Sequence, residues 1–421
     1  MDAAIPMLVD SLIVLPIQRV LSNDHAWESV AVASNMPPFS PQSLDFVAEL
    51  SSAIHRNPES KQFPETVALG FWLRSANINK IIQSFIDRKP ANTYYVARGL
   101  TFHIAPSNVD TIFVYSWIIS LLCGNRNVVR ISSRPSGQMQ TILNCIDAVL
   151  GREQHALIAE RLAIVRYEAS DETTRMISEK TDVRVIWGGD QTVLSIRKLP
   201  LPPTSIDLSF ANKWSLTVID VDHWNGLDDS QKADAARRFA LDAFQFGQAA
   251  CSSPRCVVWL NRDSTPTNTQ SFWDSVYDHI DGLFEFSPID FVNKLVEADV
   301  LAAQGVTHRK STRDNRITRL QIEPANLKDM IHREHLCDSG FFLECMVENL
   351  DVVFQQFDRK VQTVASLGVK REVWKTLIEQ GTIQGIDRIV PLGKALDFDI
   401  TWDGFDLLSS FLRSVTLQID K

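Results

Sequence analysis

The chain has 421 residues, 45% of them hydrophobic and 22% charged, and a formal net charge of −9. That length exceeds one compact core and implies two domains, or two with an appendage, while the acidic balance argues against general nucleic-acid binding. Six cysteines (Cys123, Cys145, Cys251, Cys256, Cys337, Cys345) without a spacing framework fit free thiols and a cytoplasmic, reducing setting.

The opening residues, MDAAIPMLVDSLIVLPIQRV, hold an apolar run interrupted by Asp10, with Asp2 where a leader would be basic and no small-residue cleavage site, so no signal peptide is expected. Loop punctuation at MPPFSPQS and RNPESKQFPE separates two helical patterns, SLDFVAELSSAIHR and ALGFWLRSANINKIIQSFI. From Tyr94 the texture becomes strand, helix, strand. TYYVARGLTFHIAP reads as extended, VDTIFVYSWIISLLCG as a buried helix closed by Gly124, and NVVRISS as a short strand. The apolar helix is too short for a bilayer, which needs about 20 residues, so no membrane span is expected.

The alternation repeats through QMQTILNCIDAVLG (helix), ERLAIVRYE (strand), TTRMISEKT (helix) and DVRVIWGG (strand), which predicts a parallel sheet with helices on both faces. Ligands of such sheets gather beyond the carboxyl ends of the strands. PLPPTS and HWNGLDDS mark a hinge region, followed by the amphipathic helix KADAARRFALDAFQF with Asp229 or Ser230 as its cap and Gly247 as its stop.

Four segments carry chemistry. Cys251, in FGQAACSSPRCVVWL, lies in a small-residue loop between a helix and a strand, where it is either a structural sulfur or a nucleophile; Cys256 enters the strand and reads as core. Ser107 and Asn108, in HIAPSNVDT, sit at a strand-to-helix junction, where Asn108 is either a helix cap or an amide aimed at an oxyanion. WGGD brings Gly188 and Gly189 to a strand end without a GxGxxG fingerprint. HREHLC offers His332, His335 and Cys337 but lacks a fourth ligand at a zinc spacing, so no metal is expected.

In order, FHIAPSNV, WIISLLCGNRNVVRISS, VRVIWGGDQTV, GQAACSSPRCVVW, KVQTV and GIDRIVPLGKALDFDITWDG resemble the LuxC-type acyl-CoA reductase family, a divergent branch of the aldehyde dehydrogenase superfamily, from about Leu69 onward. The resemblance implies an α/β, aldehyde-dehydrogenase-like fold. Residues 1–221 would form a Rossmann-type nucleotide-binding domain, 222–390 a catalytic domain bearing Cys251, and 391–421 a C-terminal arm joining a homo-oligomer. It makes Cys251 the acylated nucleophile and Asn108 the oxyanion donor. Ser107, Arg130, Ser132, Ser133, Arg134, Gly188, Gly189 and Glu344 become cofactor-binding residues.

Arg130 stands where the superfamily usually has lysine, and Ser133 where NAD-preferring members often carry glutamate. A glutamate would repel a ribose 2′-phosphate, whereas Ser133 between Arg130 and Arg134 can receive one, which favours NADPH while leaving NADH open. The segment that would supply a deacylating glutamate reads IDLSFANKWSL and has none, unless Asp207 serves. The expectation is NADPH-dependent reduction of an acyl thioester, carried by coenzyme A or an acyl carrier protein, to an aldehyde through a Cys251 acyl-enzyme. The alternatives are an aldehyde dehydrogenase working oxidatively and a catalytically silent scaffold.

Overall fold

The computed structural model describes residues 17–419 apart from Pro135, Pro266, Lys310, Ser311, Glu334 and His335. The N-terminal run read as lacking a signal peptide, and His335, lie outside the described residues. Two compact units emerge, Met1–Ala211 with Phe405–Lys421, and Asn212–Gly404.

The first unit contains β1 (Gln18–Arg19), β2 (Thr93–Ala97), β3 (Leu100–Ile104), β4 (Arg126–Arg130), β5 (Leu162–Arg166), β6 (Val183–Trp187) and β7 (Ile206–Phe210). Six of these form a sheet in the order β1-β5-β4-β3-β6-β7, parallel except for β1 at the edge. The chain leaves β3 toward β4 and β5, then returns to β6 on the other side of β3. Their connections therefore diverge at a topological switch point, where open α/β sheets hold ligands.

The crossover helix Ile112–Leu122 is buried along its whole length, as its unbroken apolar sequence requires. Beyond it Gly124 takes φ 83°, and a side chain there would meet the Met36 carbonyl oxygen at 2.1 Å, so glycine is needed for both conformation and space. Near the end of the chain, the strand Leu412–Thr416 pairs antiparallel with β2.

The second unit contains β8 (Trp214–Asp220), β9 (Pro254–Leu260), β10 (Thr307–Arg309), β11 (Thr318–Ile322), β12 (Phe341–Val347), β13 (Val361–Leu367) and β14 (Arg388–Pro391). Their order is β10-β11-β12-β9-β8-β13-β14, parallel except for β10. Alternate residues feed two cores. Val218, Val258 and Leu343 pack with Leu327, Ile331 and Trp374 in one, while Ile219, Val257 and Phe342 pack with Phe239, Phe272 and Trp273 in the other. Burial on both faces explains why these strands read as continuous apolar runs.

The division falls before β8, whereas the sequence-based boundary at 221 lies after it. β7 and β8 are separated only by Ala211, Asn212 and Lys213, with no proline or glycine to mark a change of sheet. The stretch read as hinge, HWNGLDDS, mostly belongs to the short helix Val221–Gly226 and the start of the next, Asp229–Phe244. That next helix is capped by Asp228 rather than Asp229 or Ser230: its carboxylate accepts from the Gln231 N–H while the Gln231 side chain accepts from the Asp228 N–H.

Candidate functional site

In the first unit, predicted residues collect at the carboxyl ends of the parallel strands. β3 ends at Ile104, and the turn that follows exposes Ser107 and Asn108. The next helix takes Thr111 as its N-cap, three residues after Asn108, without a side-chain cap hydrogen bond from Thr111. β6 runs into Gly188 and Gly189, and Gly189 is the N-cap of the helix Asp190–Arg197. Its φ of −63° would suit any residue, and nothing lies within 4 Å of where its Cβ would be. What this glycine provides is open space beside a helix N-terminus.

At the end of β4, the Arg130 guanidinium lies 4.6 Å from the Tyr167 ring centroid and donates to the Tyr167 carbonyl at 3.4 Å. The Ser132 hydroxyl accepts from the Arg134 N–H at 3.1 Å, and Ser133 and Arg134 are exposed. Beside them lies a cavity of about 390 Å³ lined by Ser136, Gly137, Met139, Gln140 and Arg166. Ser136 caps the helix Gly137–Leu150 through the Met139 N–H, at 3.3 Å, and donates to Asp110. Arg166 closes β5 and donates through Nε to the Ser132 carbonyl at 3.1 Å. Sequence reasoning missed Arg166, although it ends the strand paired with the one carrying Arg130.

Two carboxylates are consumed internally. Asp207 receives two hydrogen bonds from Arg184, at 2.7 and 2.8 Å, and lies near the amino end of β7, away from the ligand-holding edge of its sheet. Glu344, on β12, accepts from Trp259 Nε1 at 2.8 Å and from Arg319 at 2.8 and 3.1 Å, with both members of the ion pair only 2% exposed. Arg319 in turn reaches Gln270 and lies over Trp273. Glu344 thus accepts three hydrogen bonds from within its own unit, one on Oε1 and two on Oε2.

In the second unit Cys251 lies at the amino ends of the strands, the reverse of the arrangement in the first. After the helix Asp229–Phe244, Gly247 and Gln248 take φ values of 58° and 66° and turn the chain toward β9. A side chain at position 247 would come within 2.5 Å of Phe284. The fully buried Gln248 amide donates to the carbonyls of Pro254 and Phe341, both at 2.9 Å, and accepts from the N–H groups of Gly340 and Phe341 at 2.9 and 3.1 Å. All of its hydrogen-bonding capacity goes to pinning the loop.

Arg255 donates to the carbonyls of Leu336 and Cys337 at 3.1 Å and of Gln248 at 3.4 Å. The Cys251 carbonyl accepts from the Ser215 hydroxyl at 2.7 Å, and that hydroxyl accepts from the Thr363 N–H at 3.2 Å, tying the loop to β8 and β13. Burial pushes the Cys251 thiol up; a hydrogen bond from the Lys213 main chain and the charges of Arg255 and Lys213 oppose this, and Asp403 reinforces it. Cys251 is half-buried, whereas Cys256 is fully buried in the core, as expected. Burial also pushes Cys337 up, to about 11.

His332 pairs with Asp358 at 2.7 Å, and among the described residues no three His, Cys, Asp or Glu side chains gather as a metal site. Nor is any described helix long and apolar enough to cross a membrane.

Residues 73–272 match the family model described as acyl-CoA reductase (LuxC). Among curated proteins, none matches the chain in sequence. Solved structures similar to it include an NAD-dependent benzaldehyde dehydrogenase from Corynebacterium glutamicum (12% identity, 93% of this chain and 87% of that one, TM-score 0.57). Lactaldehyde dehydrogenase from Escherichia coli is similar at 11% identity over 93% and 87%, TM-score 0.61. So is 1-pyrroline-5-carboxylate dehydrogenase from Thermus with bound NAD, at 13% over 93% and 83%, TM-score 0.58. At these identities the likeness establishes the fold: an aldehyde-dehydrogenase-like α/β architecture.

Proposed function

We propose, for a chain that belongs across residues 73–272 to the acyl-CoA reductase (LuxC) family, that its reaction is the NADPH-dependent reduction of an acyl thioester to an aldehyde, with Cys251 as nucleophile. The observation that carries the reading is the Cys251 loop. A glutamine with four internal hydrogen bonds and a half-buried arginine fix the backbone around a half-buried thiol. A structural cysteine needs no such framework.

In the proposed reaction Cys251 Sγ attacks the acyl carbonyl carbon, and the carbonyl oxygen takes up negative charge. The Asn108 amide and the Cys251 N–H are the proposed donors to it. The carbon–sulfur bond to the carrier then breaks, releasing coenzyme A or a carrier-protein thiol and leaving the acyl group on Cys251.

The cavity between the ends of β4 and β5 is of a size and character to accept a nucleotide: a helix N-terminus, the Ser136 hydroxyl and the Arg166 guanidinium line it. Ser107, Ser132, Ser133, Arg130, Arg134, Gly188, Gly189 and Glu344 complete the proposed cofactor set, Glu344 being already bonded to Trp259 and Arg319. Bound there, NADPH would supply hydride to the acyl carbon. Collapse of the thiohemiacetal on Cys251 breaks the sulfur–carbon bond and frees the aldehyde. The arginines favour NADPH, with NADH the competitor.

An oxidative role would call for a carboxylate that activates water, and the only one sequence reasoning offered, Asp207, is held by Arg184. The C-terminal arm of a homo-oligomer is part of the same proposal; within this chain the strand Leu412–Thr416 pairs antiparallel with β2. The reading is tested by following consumption of reduced nicotinamide against a panel of acyl thioesters with each cofactor. Turnover dependent on both thioester and NADPH is expected; no turnover with any donor would return the scaffold reading.

A further inference from the structure

The second unit buries a lysine for which the reaction above has no assignment. Lys294, on the helix Pro288–Ala303, is 1% exposed, and its ammonium lies 4.7 and 5.2 Å from the ring centroids of Phe286 and Phe291. It donates to the carbonyls of Ser339 at 2.7 Å and Arg316 at 2.8 Å. One turn earlier on the same helix, Asp290 accepts from the Ser339 hydroxyl at 3.2 Å. The helix thus grips Ser339 by its main chain and its side chain together. An apolar residue would fill this place at less cost than a buried ammonium, so the two carbonyls are what the lysine serves.

Those carbonyls flank a left-handed turn. Ser339 and Gly340 take φ values of 55° and 88°, and a side chain at position 340 would come within 2.2 Å of the Arg316 carbonyl oxygen. The Thr318 N–H donates to the Gly340 carbonyl at 2.8 Å. A serine in left-handed backbone persists only where its surroundings impose it, and here Lys294 and Asp290 do so.

The pair 339–340 is interlocked with a second left-handed pair, Gly247 and Gln248. The Ser339 N–H donates to the Gly247 carbonyl at 3.0 Å, while the Gly340 and Phe341 N–H groups donate to the Gln248 side-chain oxygen. The Gln248 amide returns a bond to the Phe341 carbonyl. Phe284, which packs on Phe286, occupies the space that a side chain at position 247 would need. One residue, Ser339, therefore separates the ammonium from the loop that carries Cys251 three residues after Gln248.

We propose that Lys294 is a positioning residue for Cys251: it holds the turn at Ser339 and Gly340 on which the 247–248 turn is locked, and so sets where the sulfur stands. The inference rests on Cys251 being the nucleophile. The charge of Lys294 matters because an ammonium binds carbonyls and aromatic faces more strongly than a neutral amine does. Burial lowers its pKa to about 8, opposed first by Asp290 on its own helix and then by Cys337, Asp314 and Asp338. Arg316, whose carbonyl it binds, turns its guanidinium to Asp281 and Asp314.

The test uses the full chain without nicotinamide. Release of carrier thiol from an acyl-CoA, followed by rapid quench, gives the acylation rate at saturation and the half-saturating concentration, and denaturant unfolding is measured beside it. K294M keeps an unbranched apolar stem beside the rings and loses both donors. Its saturated rate should fall about 10- to 100-fold, the range for a misplaced reacting group, with half-saturation changed by less than about twofold. K294A lacks the atoms of propylammonium, so added propylammonium should restore its rate, whereas uncharged propanol of the same size should not. A merely structural lysine would lower the unfolding midpoint and leave the rate of the folded protein alone.

Folded K294M that acylates within about twofold of the unmodified rate would overturn the proposal. So would rescue of K294A by propanol as well as by propylammonium, which would assign the lysine to filling space. Should K294M not fold, the unmodified protein decides. Its amide exchange, corrected for intrinsic pH dependence, should quicken together in residues 336–341 and 246–253 as pH rises past about 8, and steady protection of 246–253 overturns the proposal. Loss of acyl transfer in C251S, with K294M normal, would refute only this inference, whereas acyl transfer surviving in C251S would refute the nucleophile itself.

Discussion

The two units use parallel sheets in opposite ways. In the first, the candidate residues stand beyond the carboxyl ends of β3, β4, β5 and β6, in exposed turns beside a cavity. In the second, Cys251 stands at the amino ends of β8, β9 and β13, in a loop whose polar groups are tied internally. One edge is suited to admitting a ligand by open space, helix N-termini and arginines; the other is suited to holding a single sulfur in place. The contrast teaches that the rule locating ligands at carboxyl ends points to the proposed cofactor side of such a protein and not to its proposed nucleophile.

The largest break in this comparison comes from removing the sulfur. C251S should lower acyl-thioester reduction by at least about 10³-fold, because a serine hydroxyl without a dedicated base is a poor nucleophile. Nicotinamide consumption checks this, and C251S should leave the melting temperature close to that of the unmodified protein.

Next in size is Glu344. E344Q leaves Arg319 buried without its counter-charge and should cost about 3 to 5 kcal/mol in denaturant unfolding. A stable E344Q with a raised cofactor KM would support the cofactor role of Glu344 over a purely structural one. Gln248→Ala should cost about 3 kcal/mol, since it strands two carbonyls and two N–H groups in the core, and should change the rate at which Cys251 is alkylated.

R166A tests the first unit. Losing a charged hydrogen bond to a 2′-phosphate should raise the NADPH KM about 10- to 100-fold and leave the NADH value nearly unchanged. An equal rise for both cofactors would place Arg166 away from the 2′-phosphate.

The smallest effect is on stability against pH. Burial raises Asp24 in the first unit and Asp242 in the second from 3.8 to about 7. Between those values the folded chain holds protons that the unfolded chain has released, so the stability these groups contribute is full below about 4 and declines as pH rises through 7. This contribution should therefore lower the melting temperature between about pH 4 and 7 and level off above about 7, with a continued fall beyond about pH 8, or no contribution that D24N and D242N remove, as the contrary result.

Much of the first unit was legible because strands and helices alternate and each strand ends in a recognisable signal: PSN after β3, RISS after β4, GG after β6. The proposed role of Cys251 comes from its place in an ordered set of motifs, since its loop's composition alone leaves a structural sulfur and a nucleophile both open. What stayed hidden depends on pairing. β7 and β8 are adjacent in sequence yet belong to different sheets, and no residue between them announces it. The bonds of Glu344 to Arg319 and Trp259 could not be read from the sequence, since those partners lie on other strands.

The central claim is that Cys251 carries the acyl group. It is tested most directly by incubating the protein with an acyl-CoA in the absence of nicotinamide and locating the added mass by peptide mass spectrometry. The account predicts one acyl adduct, on the peptide containing Cys251, that disappears with formation of aldehyde when NADPH is added. An unmodified Cys251, or an adduct on Cys337 instead, would contradict it.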